Sequence, residues 1–573
     1  MGPAPVTHPP LLRAPPFPWA DAGVTRAGGA ADVAGIALPP PRSVLALLHE
    51  ARVGGEFWQR PVERAADRVV VRVPAGSALA DLERLVDGAS PTLWVAAAAD
   101  RALEQALAAT IAEGAGQRGA GWSDAAVDPW SALDGARYLV AHGDDEWVAL
   151  AACAQVPVTI IARGRFGAPG DDAETIALRV LAELGRTAWR DPFTDRPSTL
   201  LATIDVLATW RAALDGNRAI AVACGMAWWK RDEIRRFLWH PARRLRFLRH
   251  GGRAVMAAQR RHGAVAIWPS RVSPALLKQA QQRDVPLVRV EDGFVRSVGL
   301  GVDLVPPSSV VVDAQGIHFD PSRPSDLETI LAQTRFGARL LERAGALRRA
   351  IVAAGISKYA ADTGSGADAA STLPQRAGGR RLVLVPGQVE DDMSVRAGGG
   401  GLASNLELVR RARMHEPDAE IWFRPHPDVD AGHRKGAVPD EAILEHADRV
   451  VRGGGMAPLL DRVDGVHVLT SLTGFEALLR GRDVTCHGTP FYAGWGLTRD
   501  LGAVPDRRGR VLHLDALVAG VLILYPRYLD PVTGLPCPPE VLVGRMADAQ
   551  AVNRLQWVAP LRRWQGRLMT WLR

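Results

Sequence analysis

Short apolar runs, each closed by a polar turn and followed by a helical stretch, recur along most of this chain. That alternation is the pattern of an α/β protein with parallel sheets. Arg68–Val73, Thr92–Val95 and Tyr138–Ala141 read as strands separated by alanine-rich helical segments such as Ala99–Glu113, while Val44–Leu48 reads either as a strand or as the opening of a helix. A second set contains Ala264–Trp268, Val285–Val290 and Ser309–Asp313; a third contains Arg381–Pro386, Glu420–Arg424 and Val466–Thr470. Between the first two sets the chain turns helical and rich in Trp and Arg (Trp210-Arg211, Asn217-Arg218, Trp228-Trp229-Lys230-Arg231), which serves either packing between modules or stacking on a sugar or nucleotide ring. Residues 1–42, rich in Pro, Ala and Gly, show no periodicity, and neither does the small, polar stretch Ala360–Gly379.

The organisation expected from this pattern is a disordered tail over 1–42, a smaller α/β module over 43–190, and a helical connector with a first Rossmann-like half over 191–362. A flexible linker over 363–380, a second Rossmann-like half over 381–550 and a basic helix over 551–573 complete it. Two such halves hinged by a linker make the glycosyltransferase arrangement called GT-B. Composition narrows the class: 47% hydrophobic and 23% charged residues are ordinary for a globular protein. The 69 basic against 62 acidic residues give +7, which suits an anionic substrate or an anionic membrane surface, although an arginine-rich genome produces the same balance. Cys153, Cys224, Cys486 and Cys537 lie far apart, so neither a disulfide framework nor a zinc site is indicated. No apolar run is long enough to span a bilayer and no signal-peptide pattern opens the chain, so the cytoplasm is the expected compartment.

Polar clusters follow the strand-like runs. Glu291-Asp292-Gly293 ends the run at 285–290, and would place two carboxylates at the carboxyl end of a parallel strand, where open α/β sheets hold their ligands. Gln388 and the acids Glu390-Asp391-Asp392, with Ser394 just beyond, follow the run at 381; one of the three acids is expected to face the cleft, since adjacent acids seldom converge on one metal ion. Pro425-His426-Pro427 fixes an imidazole that can donate to a phosphate or act as acid or base. Ser471, Thr473 and Gly474 fall where a helix begins, which serves either as an anion site or as a capping box with Glu476. The turn Pro490–Thr498, with Trp495 between Gly494 and Gly496, has the aromatic and glycine content of a ring-binding loop. His142–Glu146, by contrast, reads as a solvated helix start.

Taken together, Val290–Gly301 (VEDGFVRSVGLG), Gly387–Ser394 (GQVEDDMS), Pro425–Val429 (PHPDV), Thr470–Gly481 (TSLTGFEALLRG) and Pro490–Thr498 (PFYAGWGLT) resemble the capsule polysaccharide β-Kdo transferase family, KpsC, and so do Gly316–Glu328 and Ile523–Pro531. The resemblance covers most of residues 190–545 and corresponds to the family's C-terminal transferase module, which implies that 43–190 is a truncated, non-catalytic remnant of a first one. It implies a cytoplasmic enzyme, peripheral at the inner face of the bacterial inner membrane. This enzyme would move Kdo with retention from CMP-β-Kdo to a phosphatidylglycerol-linked (poly-)Kdo glycolipid, in contact with capsule assembly and export proteins. Matching Gln388 and Ser394 places Asp392 as the nucleophile, with Glu291 assisting proton transfer and Asp292 as the alternative. His426, Pro427, Ser471, Thr473, Gly474, Gln388, Trp495 and Gly496 would hold CMP-Kdo, and Arg296, Ser297 and Ser394 would touch substrate. Neither metal nor cofactor is implied, and no nucleic acid. Two departures stand out: Ser270 follows Trp268-Pro269 where the family has a glycine after its tryptophan, and Met393 replaces a smaller residue. The alternatives are a transferase for another CMP-activated 2-keto sugar acid and a non-catalytic export scaffold. In Pro560–Arg573, Leu561, Trp564, Leu568, Trp571 and Leu572 share a helical face among arginines, which suits either an anionic membrane surface or docking on the protein's own core.

Overall fold

Each of the firmly read apolar runs is a strand in the computed structural model, which describes residues 9–26, 41–77, 79–86, 90–113, 121–295, 306–356, 378–432 and 434–548. The chain divides into two units, Met1–Arg218 with Trp239–Arg244, and Ala219–Leu238 with Leu245–Arg573.

In the first unit β1 (Arg68–Val73), β2 (Thr92–Ala96), β3 (Gly121–Ser123), β4 (Ala136–Ala141) and β5 (Val158–Ile160) form an all-parallel sheet in the order β3-β2-β1-β4-β5. The central β1 is buried along its whole length, as a strand covered on both faces must be. Val69, Val71 and Val73 share a core with Leu103 and Leu107 of the helix Arg101–Glu113. Val44–Leu48 lies in a helix, Pro41–Ala51.

Two expected boundaries change here. Residues 9–26 are no free tail: Leu11 and Leu12 are buried, Phe17 packs on Trp210 and Trp239 with ring centres 5.3 and 4.8 Å apart, and Thr25 bridges to Trp189. A few apolar side chains anchor a segment whose Pro and Gly content masked them. The helix Leu200–Asn217 also belongs to this unit and not to a connector. Its Trp210 is fully buried, and its Arg211 pairs with the buried Asp128 at 2.7 Å, so this Trp-Arg pair packs and does not present a ring-binding face. Residues 1–8 and 27–40, most of the 363–380 linker and the basic segment 551–573 lie outside the described residues.

In the second unit β6 (Ile220–Cys224), β7 (Arg246–Leu248), β8 (Ala264–Ile267) and β9 (Leu287–Asp292) run parallel, and β10 (Ser309–Asp313) returns antiparallel to β9. A second, all-parallel sheet contains β11 (Leu382–Pro386), β12 (Glu420–Arg424), β13 (Arg449–Val450), β14 (Gly465–Val468), β15 (Asp483–Cys486) and β16 (Arg499–Asp500) in the order β13-β12-β11-β14-β15-β16. The chain then goes back: β17 (Pro526–Leu529) and β18 (Pro536–Cys537) extend the first sheet, whose order is β18-β17-β10-β9-β8-β6-β7. The second half therefore does not run unbroken to 550. Without β17 the strand β10 would be an open edge, and pairing it satisfies backbone groups that would otherwise face solvent. Nothing local in residues 526–537 announces which sheet they join. The second unit is thus built of two Rossmann-like halves.

The two halves are tied by a buried carboxylate. Glu328 of the helix Asp326–Gln333 receives Arg507 at 2.7 Å and Arg508 at 2.6 Å. Arg508 also donates to the carbonyls of Pro490 and Ala493, at 2.7 and 3.1 Å, which fixes the turn after β15.

Beneath the second sheet, His467 Nδ1 and His487 Nε2 lie 3.0 Å apart and buried, close to His415. Burial first, and then the neighbouring imidazoles, push His467 down to about 3 and His487 down to about 4. An unfolded imidazole titrates near ~6.5. Between that value and the folded ones the unfolded chain binds protons that the native protein refuses. The stabilisation is therefore complete above ~6.5 and is lost as pH falls, about 2 kcal/mol per histidine by pH 5. Denaturant titrations at pH 7.5 and 5 should show that drop, and a His487→Gln variant should show a shallower one; equal slopes for the two proteins would contradict this origin.

Candidate functional site

The second sheet winds from β11 to β13 on one side and from β14 to β16 on the other. The crevice between the carboxyl ends of β11 and β14 is the switch point at which doubly wound sheets bind ligands. A cavity of about 530 Å³ lies there, walled by the turns after β11, β12 and β14 and, from the first sheet, by the end of β9 with Ser270, His318 and Phe319.

The three consecutive acids after β11 have three different environments. Glu390 accepts from the backbone N–H of Asn405 at 2.9 Å, and Asp391 is exposed and pairs with Arg434 at 3.2 Å. Asp392 lines the cavity. It also caps the helix Met393–Gly398, its Oδ1 accepting from the N–H of Ser394 at 2.9 Å and from its hydroxyl at 2.7 Å. Bonds of this kind fix the rotamer. Both go to Oδ1, and among the described residues none goes to Oδ2. Behind Asp392, Gln388 donates to Thr470 Oγ1 at 3.0 Å and accepts from its N–H at 2.9 Å, and Thr470 Oγ1 lies 3.4 Å from Ser394 Oγ. Gln388 and Ser394 thus line the cavity and brace the carboxylate.

His426 and Pro427 line the same cavity. His426 caps the short helix Pro427–Asp430, and its Nδ1 accepts the N–H of Asp428 at 3.2 Å. With Nδ1 an acceptor, the neutral ring carries its proton on Nε2 and presents a donor there. Ser471 caps the helix Leu472–Leu479: its hydroxyl accepts from the N–H of Thr473 at 3.2 Å and donates to Thr473 Oγ1 at 3.0 Å. Ser471, Leu472 and Thr473 bring a helix N-terminus to the cavity wall, where developing negative charge is stabilised.

Glu291, Asp292 and Gly293 reach the cavity from the end of β9. Gly293 serves close approach and not a left-handed turn, since a Cβ there would stand 2.2 Å from Ser309 Oγ. Asp292 Oδ1 accepts from Lys230 Nζ at 2.8 Å. Arg296 and Ser297 lie outside the described residues.

Three expected donor contacts are not part of this wall. Trp495 is fully buried and donates its indole N–H to the Phe491 carbonyl at 2.9 Å; Gly496 packs against Val511. A Cβ on Gly474 would meet Tyr492 Oη at 2.2 Å, so that glycine serves packing of the helix against the turn. Pro490 and Phe491 line the cavity in their place, and Phe491 packs on Phe294 with ring centres 4.7 Å apart. The sequence reading missed Lys230, His318 and Arg434 at the site. For Lys230 a signal existed, a lysine between tryptophan and arginine in Trp228-Trp229-Lys230-Arg231, but it was assigned to packing or stacking.

A second cavity, of about 520 Å³, lies at the carboxyl end of the first unit's sheet. Its charges answer one another: Arg72 pairs with Asp145 at 2.9 Å, Arg13 pairs with Glu146, and Asp145 caps the helix Glu146–Ala154. Among the described residues no group of three or more His, Cys, Asp or Glu is placed to hold a metal ion, and no helix is long and apolar enough to cross a membrane.

Comparison with known proteins identifies the family. The family described as capsule polysaccharide biosynthesis protein matches residues 263–528. The capsule polysaccharide modification protein LipA of Neisseria meningitidis serogroup A is 40% identical over 358 residues, 62% of this chain and 50% of LipA, so the chain spans about half the length of that relative. The lipopolysaccharide-processing protein LpsZ of Rhizobium meliloti is 40% identical over 325 residues, 56% of this chain and 72% of LpsZ. A solved structure of Thermosulfurimonas dismutans KpsC, described as a β-Kdo 2,4 transferase, is 32% identical and is covered over 98% of its length by 58% of this chain, with a TM-score of 0.49. With 40% identity across nearly three quarters of LpsZ, and with the family's match taking in strands of both sheets of the second unit, the chain belongs to the KpsC-like capsule Kdo transferase family.

Proposed function

We propose that the second unit transfers Kdo with retention from CMP-β-Kdo to a phosphatidylglycerol-linked (poly-)Kdo glycolipid, and that Asp392 is its nucleophile. The observation that carries this reading is that one cavity collects a braced carboxylate (Asp392), a second carboxylate on the opposite sheet (Glu291), and an imidazole donor beside a helix N-terminus (His426, Ser471–Thr473). In the first step an Asp392 oxygen attacks the anomeric carbon while the bond from that carbon to the phosphate oxygen breaks. CMP leaves with the electron pair, and a Kdo–aspartyl ester remains. His426 Nε2–H and the helix N-terminus stabilise the phosphate charge as it develops. In the second step an acceptor hydroxyl attacks the same carbon, its proton passes to Glu291, and the aspartate departs. Two inversions restore the starting configuration. The scheme routes no step through a metal ion, because the leaving group is a single phosphate monoester.

Incubation with CMP-Kdo and a Kdo-terminated lipid acceptor is the test. Transfer from CMP-Kdo but not from CMP-sialic acid is the expected result; transfer from another CMP-activated sugar acid alone would move the reading to that donor, and no transfer from any donor would leave a scaffold. His426→Asn, which keeps a capping acceptor but removes the imidazole Nε2–H, should lower kcat by roughly 10²-fold, the range seen when one preorganised donor is removed. An unchanged kcat in single-turnover assays would take the imidazole off the leaving phosphate.

A further inference from the structure

Lys230 is a buried cation with no part in the scheme above. It ends the turn Trp228–Lys230, is 7% exposed, and holds its ammonium 3.6 Å from the ring centre of Trp268 and 5.0 Å from that of Trp229. A lysine removed from water is retained as a cation only where carboxylate or aromatic faces answer it, and here both do. Its carboxylate partner is Asp292, at 2.8 Å, on the cavity wall next to Glu291.

Resting on the transferase reading, we propose that Lys230 is a positioning residue of the acceptor subsite: it fixes Asp292 as a permanent hydrogen-bond acceptor for an acceptor-sugar hydroxyl and leaves proton transfer to Glu291. Three observations support this. A carboxylate held against a buried ammonium stays ionised, so it accepts hydrogen bonds and does not deliver protons. Asp292 lines the cavity next to Glu291, the group that takes the acceptor hydroxyl's proton in the scheme above, so its accepting oxygen lies on the wall that the acceptor's hydroxyls approach. The phosphate-directed groups His426, Ser471 and Thr473 all come from the second sheet, whereas Asp292 and Lys230 come from the first, the side facing them across the cavity. Trp268, on which Lys230 rests, directly precedes the Pro269–Arg271 turn that brings Ser270 to the same wall, so one aromatic platform sets both.

The experiment is steady-state kinetics on the full chain, varying donor and acceptor separately, for Lys230→Met, Lys230→Arg, Asp292→Asn, the Lys230→Met/Asp292→Asn double variant and Glu291→Gln. Losing one charged hydrogen bond predicts an acceptor KM raised roughly 10- to 100-fold in Lys230→Met and in Asp292→Asn, with donor KM unchanged. Lys230→Arg should recover most of that loss, and the double variant should be no worse than the poorer single one, as expected when the two residues act as one. Glu291→Gln should lose kcat instead. A donor KM that rises, a double variant whose losses multiply, or an Asp292→Asn enzyme that loses kcat as Glu291→Gln does would each overturn the proposal. Should Lys230→Met not fold, Asp292→Asn and Lys230→Arg still decide it. A wild type without transfer activity would count against the transferase reading itself; an active wild type with the wrong pattern counts only against this inference.

Discussion

Asp392→Asn is expected to lower transfer by on the order of 10⁴-fold or more while leaving the protein folded and its affinity for CMP nearly unchanged. Asn keeps an oxygen to accept the Ser394 N–H and hydroxyl, so the cap on the helix Met393–Gly398 survives; what disappears is the nucleophile. The neighbouring acids provide the controls. Asp391→Asn removes a surface ion pair with Arg434 and should cost no more than about 1 kcal/mol of stability and little activity. Glu390→Gln leaves an oxygen for the Asn405 N–H and should likewise remain active. A loss shared equally by all three variants would mean that the run acts through its summed charge and not through one carboxylate.

The second large effect concerns stability. Trp495→Ala should lower the unfolding free energy by about 3–5 kcal/mol, the range for deleting a large buried aromatic ring. Trp495 has no exposed surface, and its indole N–H is spent on the Phe491 carbonyl. Denaturant titration measures the loss; kinetics on the fraction that remains folded should give a donor KM close to wild type. The opposite outcome, intact stability with a raised donor KM, would return Trp495 to the donor pocket, where the family resemblance had put it.

What could be read from the sequence follows the range of the forces involved. The β1, β11, β12 and β14 segments were legible because a strand covered on both faces must be largely apolar along its length, and the switch-point crevice follows from where such strands end. The convergence of Asp392, His426 and Ser471 on one cavity was legible for the same reason, since all three follow strands of one sheet. Which of three adjacent acids faces inward came only from the resemblance, which placed Asp392, because Glu390 and Asp391 are claimed by Asn405 and Arg434, partners set by the fold. For Trp495 the reading failed. An aromatic between glycines looks the same whether it faces a ligand or fills a core, and only the approach of Val504 and Val511 to Gly494 and Gly496 separates the two. The return of Pro526–Leu529 to the first sheet and the burial of Leu11, Leu12 and Phe17 are long-range pairings without a local signal. Lys230 belongs to the same group: its partner lies 62 positions along the chain.

The central claim is that a covalent bond forms between Asp392 and the donor sugar, and intact-mass analysis of enzyme mixed rapidly with CMP-Kdo in the absence of acceptor tests it most directly. The account predicts a species heavier by one Kdo residue, mapped to the peptide containing Asp392, absent from Asp392→Asn, and discharged when the lipid acceptor is added. Transfer that proceeds with no such species in the wild type, or an adduct of the same mass that persists in Asp392→Asn, would contradict it.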